Sequence, residues 1–182
     1  MKIPNQVVYK NKTFKLNITP KELDEAVSRI AGQINEDYSD KTPLFLVVLK
    51  GAVFFASDLL RKLTIHCTLE TITAKSYGNE LYSSGVVNLN LDDLPLKGRD
   101  VIIIEDIVDS GLTLQSIINK LKKQDPESIE AAAIVSKPDQ RTVDVRVKYI
   151  GIEIPADFVI GYGMDYAEYG RHLPGIYSLI EN

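Results

Sequence analysis

Several features that would point to particular classes of protein are scarce or missing in this chain of 182 residues. Its single cysteine, Cys67, cannot form an internal disulfide and supplies too few thiolates for a structural zinc site. No apolar run approaches the roughly 20 residues that a membrane-spanning helix needs, and the N-terminal residues lack the apolar core of a secretion signal. We therefore expect a cytoplasmic protein that does not associate with membranes.

An excess of positive charge is also missing. Lys and Arg number 21 against 25 Asp and Glu, which gives a formal net charge of −4 and a pI of about 5.3. Because nucleic acids and anionic lipids bind to basic faces, we expect neither as a partner. The composition is otherwise ordinary for a globular protein, and the length favours a single domain over residues 1–182.

The apolar pattern alternates between strands and helices. Thr19-Pro20 and the apolar stripe that follows predict a helix over about residues 20–36. A looser alternation at 66–76 predicts a strand. Continuous apolar runs predict buried strands at 44–49, 101–104, 131–135 and 158–160. Each of the first two runs is followed by a turn and then by a helical stretch. This alternation is typical of an α/β fold with a mainly parallel twisted sheet flanked by helices.

The strongest chemical signal is the segment 101–113, which reads VIIIEDIVDSGLT. Glu105 and Asp106 close its buried run, and such a pair suits the vicinal hydroxyls of a ribose or a hydrated Mg²⁺. In a parallel sheet, ligands bind beyond the carboxyl ends of the strands. We therefore expect one site where four loops converge, those that open at Lys50, Glu105, Lys137 and Val159.

The turn that follows these acids predicts an anion site. Backbone N–H groups of residues 109–113, the hydroxyls of Ser110 and Thr113 and the positive end of the next helix form a cradle suited to a phosphomonoester. An alternative interpretation makes Asp109 or Ser110 an ordinary helix N-cap. That alternative accounts for the turn but not for the two acids before it.

Residues 101–113 closely resemble the phosphoribosyl pyrophosphate signature of the type I phosphoribosyltransferases: four apolar residues, two acids, two apolar residues, Asp, Ser or Thr, Gly and a closing Thr. The resemblance implies the fold of that family, with a small hood built from the terminal segments. It also places Gly111 and Leu112 in the phosphate cradle. Some members have Lys where this chain has Leu112, which should reduce phosphate affinity without removing the site.

Two further segments resemble the hypoxanthine–guanine branch of that family. Lys50-Gly51, after the first buried strand, is similar to the loop whose N–H groups bind the leaving diphosphate, and the peptide before this Lys is often cis in the family. Ser76-Tyr77 is similar to the pair that opens a lid loop, here 78–86, which would exclude water from the reacting centre. The alternative for Lys50-Gly51 is an ordinary turn, and the alternative for the segment that Ser76-Tyr77 opens is an exposed linker with no role.

A third segment, from Ser136 to Arg171, resembles the purine pocket of the same branch. The resemblance implies that Lys137 donates to O6 of the base, that Phe158 stacks on it and that the Val159 backbone reads its Watson–Crick edge. It further implies that Asp165 binds a Mg²⁺ carried by pyrophosphate and that Arg171 contacts that pyrophosphate. The alternatives are that Phe158 only packs in the core and that Lys137 is exposed to solvent without binding the base.

These features together predict an Mg²⁺-dependent transferase that joins hypoxanthine, and guanine, to the ribose of phosphoribosyl pyrophosphate. Asp109 is the candidate base, placed by the resemblance near N7 of the purine, where it accepts the proton released as N9 bonds to ribose. Two alternatives remain open: a transferase for another base, and a nucleic-acid-binding regulator that senses phosphoribosyl pyrophosphate. The resemblance also implies a homodimer or homotetramer.

Overall fold

The computed structural model describes residues 3–73, 94 and 96–180. Its α-helices are Pro20–Asp37 (α1), Val53–Leu60 (α2) and Leu112–Leu121 (α3), with 3₁₀ turns at Lys122–Gln124 and Pro138–Gln140. Its strands are Gln6–Tyr9 (β1), Lys12–Ile18 (β2), Leu44–Leu49 (β3), Thr68–Thr73 (β4), Asp100–Val108 (β5), Ser128–Ser136 (β6), Tyr149–Glu153 (β7), Val159–Ile160 (β8) and Ile176–Leu179 (β9). No helix within these ranges has both the length and the apolar character that crossing a membrane demands.

A five-stranded parallel sheet forms the centre of the molecule, in the order β4-β3-β5-β6-β7. Helices cover both of its faces, because successive side chains of a strand point to opposite sides. Ile102 and Ile104 of β5 pack into the cluster that contains the buried faces of α1 and α2. Ile103 packs on the other side with α3. The α/β architecture expected from the alternating apolar runs is therefore confirmed.

The predicted N-terminal helix is confirmed as α1, and its beginning is fixed by a capping box. The hydroxyl of Thr19 accepts a hydrogen bond from the N–H of Glu22 at 3.3 Å, and the Glu22 carboxylate accepts one from the N–H of Thr19 at 2.8 Å. These two bonds satisfy backbone donors that would otherwise lack partners, and Pro20 lacks an N–H group to satisfy.

A second, antiparallel sheet is built from the two terminal segments, in the order β1-β2-β9-β8. It is the hood that the family resemblance implies. The run at 158–160 was expected to be a strand of the parallel sheet, and this expectation is wrong. Val159 pairs with Ser178 and Ile160 with Tyr177 of β9, so the run belongs to the hood. The edge strand next to β6 is instead β7, which has no continuous apolar run.

Two element boundaries also differ from the sequence-based expectation. The strand predicted at 101–104 continues as β5 to Val108, so Glu105 and Asp106 lie within the strand and not after it. Pairing of β5 with β6 continues through Glu105 and again at Ile107 and Val108, which explains the extension. The predicted strand at 66–76 is described over Thr68–Thr73, and Ser76, Tyr77 and the predicted lid at 78–86 lie outside the described residues.

Candidate active site

A cavity of about 300 Å³ opens at the carboxyl ends of β5, the central strand of the parallel sheet, and of its neighbour β3. This is the edge at which a sheet of this kind binds ligands. Nine of the residues singled out from the sequence line it: Lys50, Gly51, Glu105, Asp106, Asp109, Ser110, Gly111, Thr113 and Arg171. Of the four loops expected to meet here, those that open at Lys50 and Glu105 line the cavity, whereas neither Lys137 nor Val159 is among its lining residues.

The turn after β3 forms one wall of the cavity and lies directly against β5. A Cβ atom on Gly51 would overlap the carboxylate of Asp106, so only glycine allows this approach. The peptide between Leu49 and Lys50 is cis. A Cβ on Gly163 would in turn overlap the carbonyl oxygen of Gly51, so the loop after β8 rests on the same turn. Three segments that are distant in sequence therefore meet at Gly51.

Glu105 and Asp106 place two acids at the end of the buried strand. Burial, and then repulsion from Asp106, raises the pKa of Glu105 well above its ordinary value. Burial likewise raises the pKa of Asp106 to about 6, although its Oδ1 accepts a hydrogen bond from the N–H of Ile107 at 2.9 Å. The positive charge of Arg171 opposes this rise, whereas the carboxylate of Asp165 adds to it. Both acids would therefore gain from cations or hydroxyl donors in the cavity.

The turn between β5 and α3 contains the residues that are predicted to form the anion cradle. Gly111 is the N-cap of α3 and has a φ of +85°, a left-handed conformation that glycine adopts at little cost. The alternative in which Asp109 or Ser110 is the N-cap is therefore wrong. The hydroxyl of Ser110 lies 3.4 Å from the N–H of Leu112, and the half-buried Leu112 and Thr113 begin the helix. Their backbone donors lie at the positive end of α3.

Arg141 supports this turn and was not anticipated from the sequence. Its guanidinium donates to the carbonyl oxygen of Asp109 at 3.4 Å and to the hydroxyl of Ser136 at 3.0 Å. The neighbouring Thr142 N–H donates to the carbonyl oxygen of Ser110 at 3.0 Å. No local motif signals these contacts, because they join the ends of two strands that become neighbours only in the folded sheet.

Lys137 and Asp109 form an ion pair beside the cavity, with 3.3 Å between the Lys Nζ and an Asp Oδ. The Lys side chain is only 7% exposed, whereas the Asp side chain is 52% exposed. The alternative of a solvated Lys137 is therefore wrong. Its backbone N–H donates to the carbonyl oxygen of Val108 at 3.0 Å, which anchors the ammonium group next to the end of β5.

Arg171 carries positive charge into the cavity from the loop that follows β8. Its guanidinium donates to the carbonyl oxygen of Gly163 at 2.8 Å and pairs with Asp165 at 2.6 Å. The second oxygen of Asp165 accepts the N–H of Glu168 at 2.7 Å. Asp165 thus pairs with Arg171 and is not among the residues that line the described cavity.

Phe158 and Val159 lie in the hood and are not part of the cavity lining either. The half-buried ring of Phe158 packs against Phe14 and Tyr166, at centroid distances of 6.4 and 5.9 Å. Val159 is buried within β8. A residue that the sequence analysis overlooked, Ile107, does line the cavity and supplies an apolar surface next to the two acids. Its position in the signature, directly after those acids, was the available signal.

The carboxylates near the cavity are suited to bind a metal ion that is also coordinated by a substrate. Within the described ranges, no three His, Cys, Asp or Glu side chains are grouped closely enough to hold a metal ion by themselves. Glu105, Asp106 and Asp165 nevertheless offer hard oxygen donors. Mg²⁺ is commonly held by one or two carboxylates, with water and substrate phosphate oxygens completing its shell. The donor set therefore fits Mg²⁺ that arrives with a phosphorylated substrate.

Comparison with known proteins gives consistent matches over most of the chain. The phosphoribosyl transferase domain family matches residues 17–167. The hypoxanthine-guanine phosphoribosyltransferase of Dictyostelium discoideum is 44% identical over 168 residues, which cover 90% of this chain and 93% of that protein. The enzyme of the same name from Bacillus subtilis is 38% identical over 163 residues, covering 89% of this chain and 91% of that protein.

Solved structures agree with these sequence matches. The crystal structure of a hypoxanthine-guanine phosphoribosyltransferase from Bacillus anthracis superposes with a TM-score of 0.85 at 38% identity. It covers 91% of this chain and 98% of that one. At this level of identity the likeness extends beyond the fold to the sequence itself.

The raised pKa of Asp106 gives a prediction about stability and pH. A carboxyl whose pKa is raised on folding favours the folded state fully below its unfolded pKa of about 3.9, and this contribution is lost as pH rises through about 6. Asp106→Asn removes the ionisation. We expect it to stabilise the protein at pH 7.5 by about 1–3 kcal/mol, with the gain disappearing near pH 4.

Urea unfolding at the two pH values measures this difference. Asp157→Asn, a replacement of an exposed carboxylate, is the control and should change stability little at either pH. An Asp106→Asn variant that is no more stable than the parent protein at pH 7.5 would contradict the assigned burial cost.

Proposed function

The chain belongs to the phosphoribosyltransferase family, in its hypoxanthine–guanine branch, and is a purine salvage enzyme; from that premise we propose the role of each residue in the cavity. The reaction moves the 5-phosphoribosyl group of phosphoribosyl pyrophosphate to hypoxanthine or guanine and releases pyrophosphate. The observation that supports the assignment best is the cavity itself, which has two acids, an anion cradle and a positively charged Arg171 on its walls.

The 5-phosphate and the ribose occupy the end of the cavity formed by β5 and α3. Backbone N–H groups of residues 110–113 and the hydroxyls of Ser110 and Thr113 donate to the phosphate. Leu112 adds no charge to this cradle, so the backbone carries the binding. Glu105 and Asp106 accept hydrogen bonds from the two ribose hydroxyls.

The diphosphate occupies the side of the cavity formed by the turn after β3. Lys50 and the N–H groups of the Lys50-Gly51 turn, together with Arg171, donate to its oxygens. The Nε–H of Arg171 is buried and has no hydrogen-bond partner among the residues described, which leaves one guanidinium donor uncommitted. Glu105, Asp106 and Asp165 are the carboxylates that, together with substrate oxygens, would hold Mg²⁺, and the bound ion would supply positive charge to the departing diphosphate.

The purine lies between the cavity and the hood. Lys137 donates to O6, which selects 6-oxopurines because an ammonium group has only donors to offer. Phe158 stacks on the ring, the Val159 backbone contacts its Watson–Crick edge and Ile107 adds apolar contact. Because Phe158 and Val159 lie on the hood, base binding joins the hood to the parallel sheet.

Asp109 accepts the purine proton as the base attacks the anomeric carbon. Its carboxylate is half exposed beside the cavity and is oriented by the ion pair with Lys137. Positive charge develops on the ribose ring as the bond to diphosphate breaks, and we assign its stabilisation to the acids at 105 and 106. Ser76 and Tyr77 begin the segment that excludes water during this step.

The protein works in the cytoplasm as a homodimer or homotetramer, with phosphoribosyl pyrophosphate and a 6-oxopurine as its small-molecule partners. The net charge of −4 and the scattered acidic residues give no support to a nucleic-acid-binding regulator of the same fold.

A panel of bases tests the proposed reaction. The purified protein is supplied with phosphoribosyl pyrophosphate, Mg²⁺ and, in turn, hypoxanthine, guanine, xanthine, adenine or uracil. We expect IMP and GMP to form much faster than any product of adenine or uracil. Faster turnover of adenine or uracil than of both hypoxanthine and guanine would overturn the assignment of the base.

Replacing the proposed general base gives a second test. Asp109→Asn should lower kcat by roughly 10²–10⁴, the range for loss of a general base, with little change in the binding of phosphoribosyl pyrophosphate. Steady-state kinetics with hypoxanthine measures this effect, and Asp144→Asn, an exposed carboxylate, is the control. Near-normal turnover in Asp109→Asn would remove Asp109 from this role.

Replacing Lys137 tests base selection. Lys137→Ala removes a charge-assisted hydrogen bond to O6, and such bonds contribute roughly 1.5–3 kcal/mol, so kcat/KM for hypoxanthine should fall about ten- to a hundredfold. Adenine carries a donor at that position, so any activity with adenine should fall less or rise. The measured quantity is the ratio of the two efficiencies, and an unchanged ratio would tell against the O6 contact.

A further inference from the structure

Glu168 connects two of the positive charges assigned to diphosphate binding and has no role in the mechanism described above. Its Oε2 atom lies 3.1 Å from the Nζ of Lys50 and 3.6 Å from a guanidinium nitrogen of Arg171. The two cations come from positions more than a hundred residues apart, on the turn after β3 and the loop after β8. One carboxylate oxygen therefore lies where both can reach it.

The backbone that carries Glu168 adopts a conformation that its residue type does not favour. Tyr166 and Tyr169 exchange two backbone hydrogen bonds, of 2.9 and 3.0 Å, around a two-residue turn. Both residues of that turn have positive φ, +49° for Ala167 and +69° for Glu168. Such turns favour Asn-Gly, because other residues are strained there. A long acidic side chain at a strained turn position is an outlier that suggests a functional constraint.

We propose that Glu168 is an internal competitor of the diphosphate group, which binds Lys50 and Arg171 in the free enzyme and gives them up when phosphoribosyl pyrophosphate or pyrophosphate enters. The proposal rests on the proposed function, because it assumes that these two cations bind a diphosphate. Glu168 thus pairs with both cations before the substrate binds and pairs with them again as pyrophosphate leaves.

The solvent exposure of the Lys50–Glu168 ion pair determines how much its loss should change diphosphate binding. The side chains of Lys50 and Glu168 are 67% and 68% exposed, and ion pairs between such exposed groups are weak. A diphosphate carries more charge than one carboxylate and can replace it at little cost. Removing the competing charge should therefore tighten diphosphate binding by about two- to fivefold.

Glu168→Gln is the test variant, because it keeps the length and backbone demands of the side chain while removing its charge. Glu25→Gln is the matched control: Glu25 also pairs with a Lys, Lys21 at 3.7 Å, through exposed side chains on α1. Calorimetric titration with inorganic pyrophosphate in Mg²⁺ buffer measures Kd for the parent protein and both variants. We expect Kd to fall two- to fivefold in Glu168→Gln and to stay unchanged in Glu25→Gln.

Kinetics supply the second measurement. In Glu168→Gln the KM for phosphoribosyl pyrophosphate and the inhibition constant of pyrophosphate should both fall, whereas the KM for hypoxanthine should not. A merely structural role would weaken binding, so unchanged or weaker pyrophosphate binding by Glu168→Gln overturns the inference. If the proposed function itself is wrong, the parent protein forms no IMP from hypoxanthine. That outcome can be told apart from a failure of the Glu168 inference alone.

Discussion

The site depends on the close packing of the Gly51 backbone against Asp106. Gly51 lies in the turn after β3 and Asp106 lies in the neighbouring parallel strand β5, and a single Cβ at position 51 would occupy the space of the Asp106 carboxylate. The loop after β8 rests on the same point, since a Cβ at Gly163 would overlap the Gly51 carbonyl oxygen. Two glycines thus bring together the turn, the acids and the loop that carries Arg171.

This packing produces a cavity with separated charges. Glu105 and Asp106 make the end of β5 acidic, whereas Lys50 and Arg171 contribute positive charge from the turn after β3 and from the loop after β8. A molecule with a diphosphate at one end and ribose hydroxyls in the middle matches that separation. In the described structure Lys50 is paired with Glu168 and Arg171 with Asp165, so a diphosphate that binds these cations, as proposed, would replace existing ion pairs.

Much of the fold could be predicted from the sequence, because most elements have strong local signals. The capping residues at Thr19 and the continuous run at 44–49 give α1 and β3 close to their observed bounds. The assignment of residues 158–160 to the wrong sheet has a physical reason. A short apolar run predicts burial, but its pairing partner β9 is set by long-range packing that local periodicity does not encode.

In the site, too, residues within one local motif could be predicted from the sequence, whereas contacts between distant segments could not. Glu105, Asp106 and the cradle after them lie in one continuous motif, so their convergence on the cavity could be expected from the sequence. The ion pair of Lys50 with Glu168 joins residues 118 positions apart, and the bond from Arg141 to Asp109 joins different loops. Such contacts follow from the topology of the whole fold, and no spacing within the sequence indicates them.

A crystal structure with phosphoribosyl pyrophosphate, Mg²⁺ and an unreactive hypoxanthine analogue would test the central claim most directly. The account predicts the 5-phosphate over the N–H groups of residues 110–113, the ribose hydroxyls against Glu105 and Asp106, and the diphosphate within hydrogen-bond distance of the Lys50-Gly51 turn and Arg171. The analogue should have O6 next to Lys137. Binding of phosphoribosyl pyrophosphate away from the cavity at the ends of β3 and β5 would contradict the account.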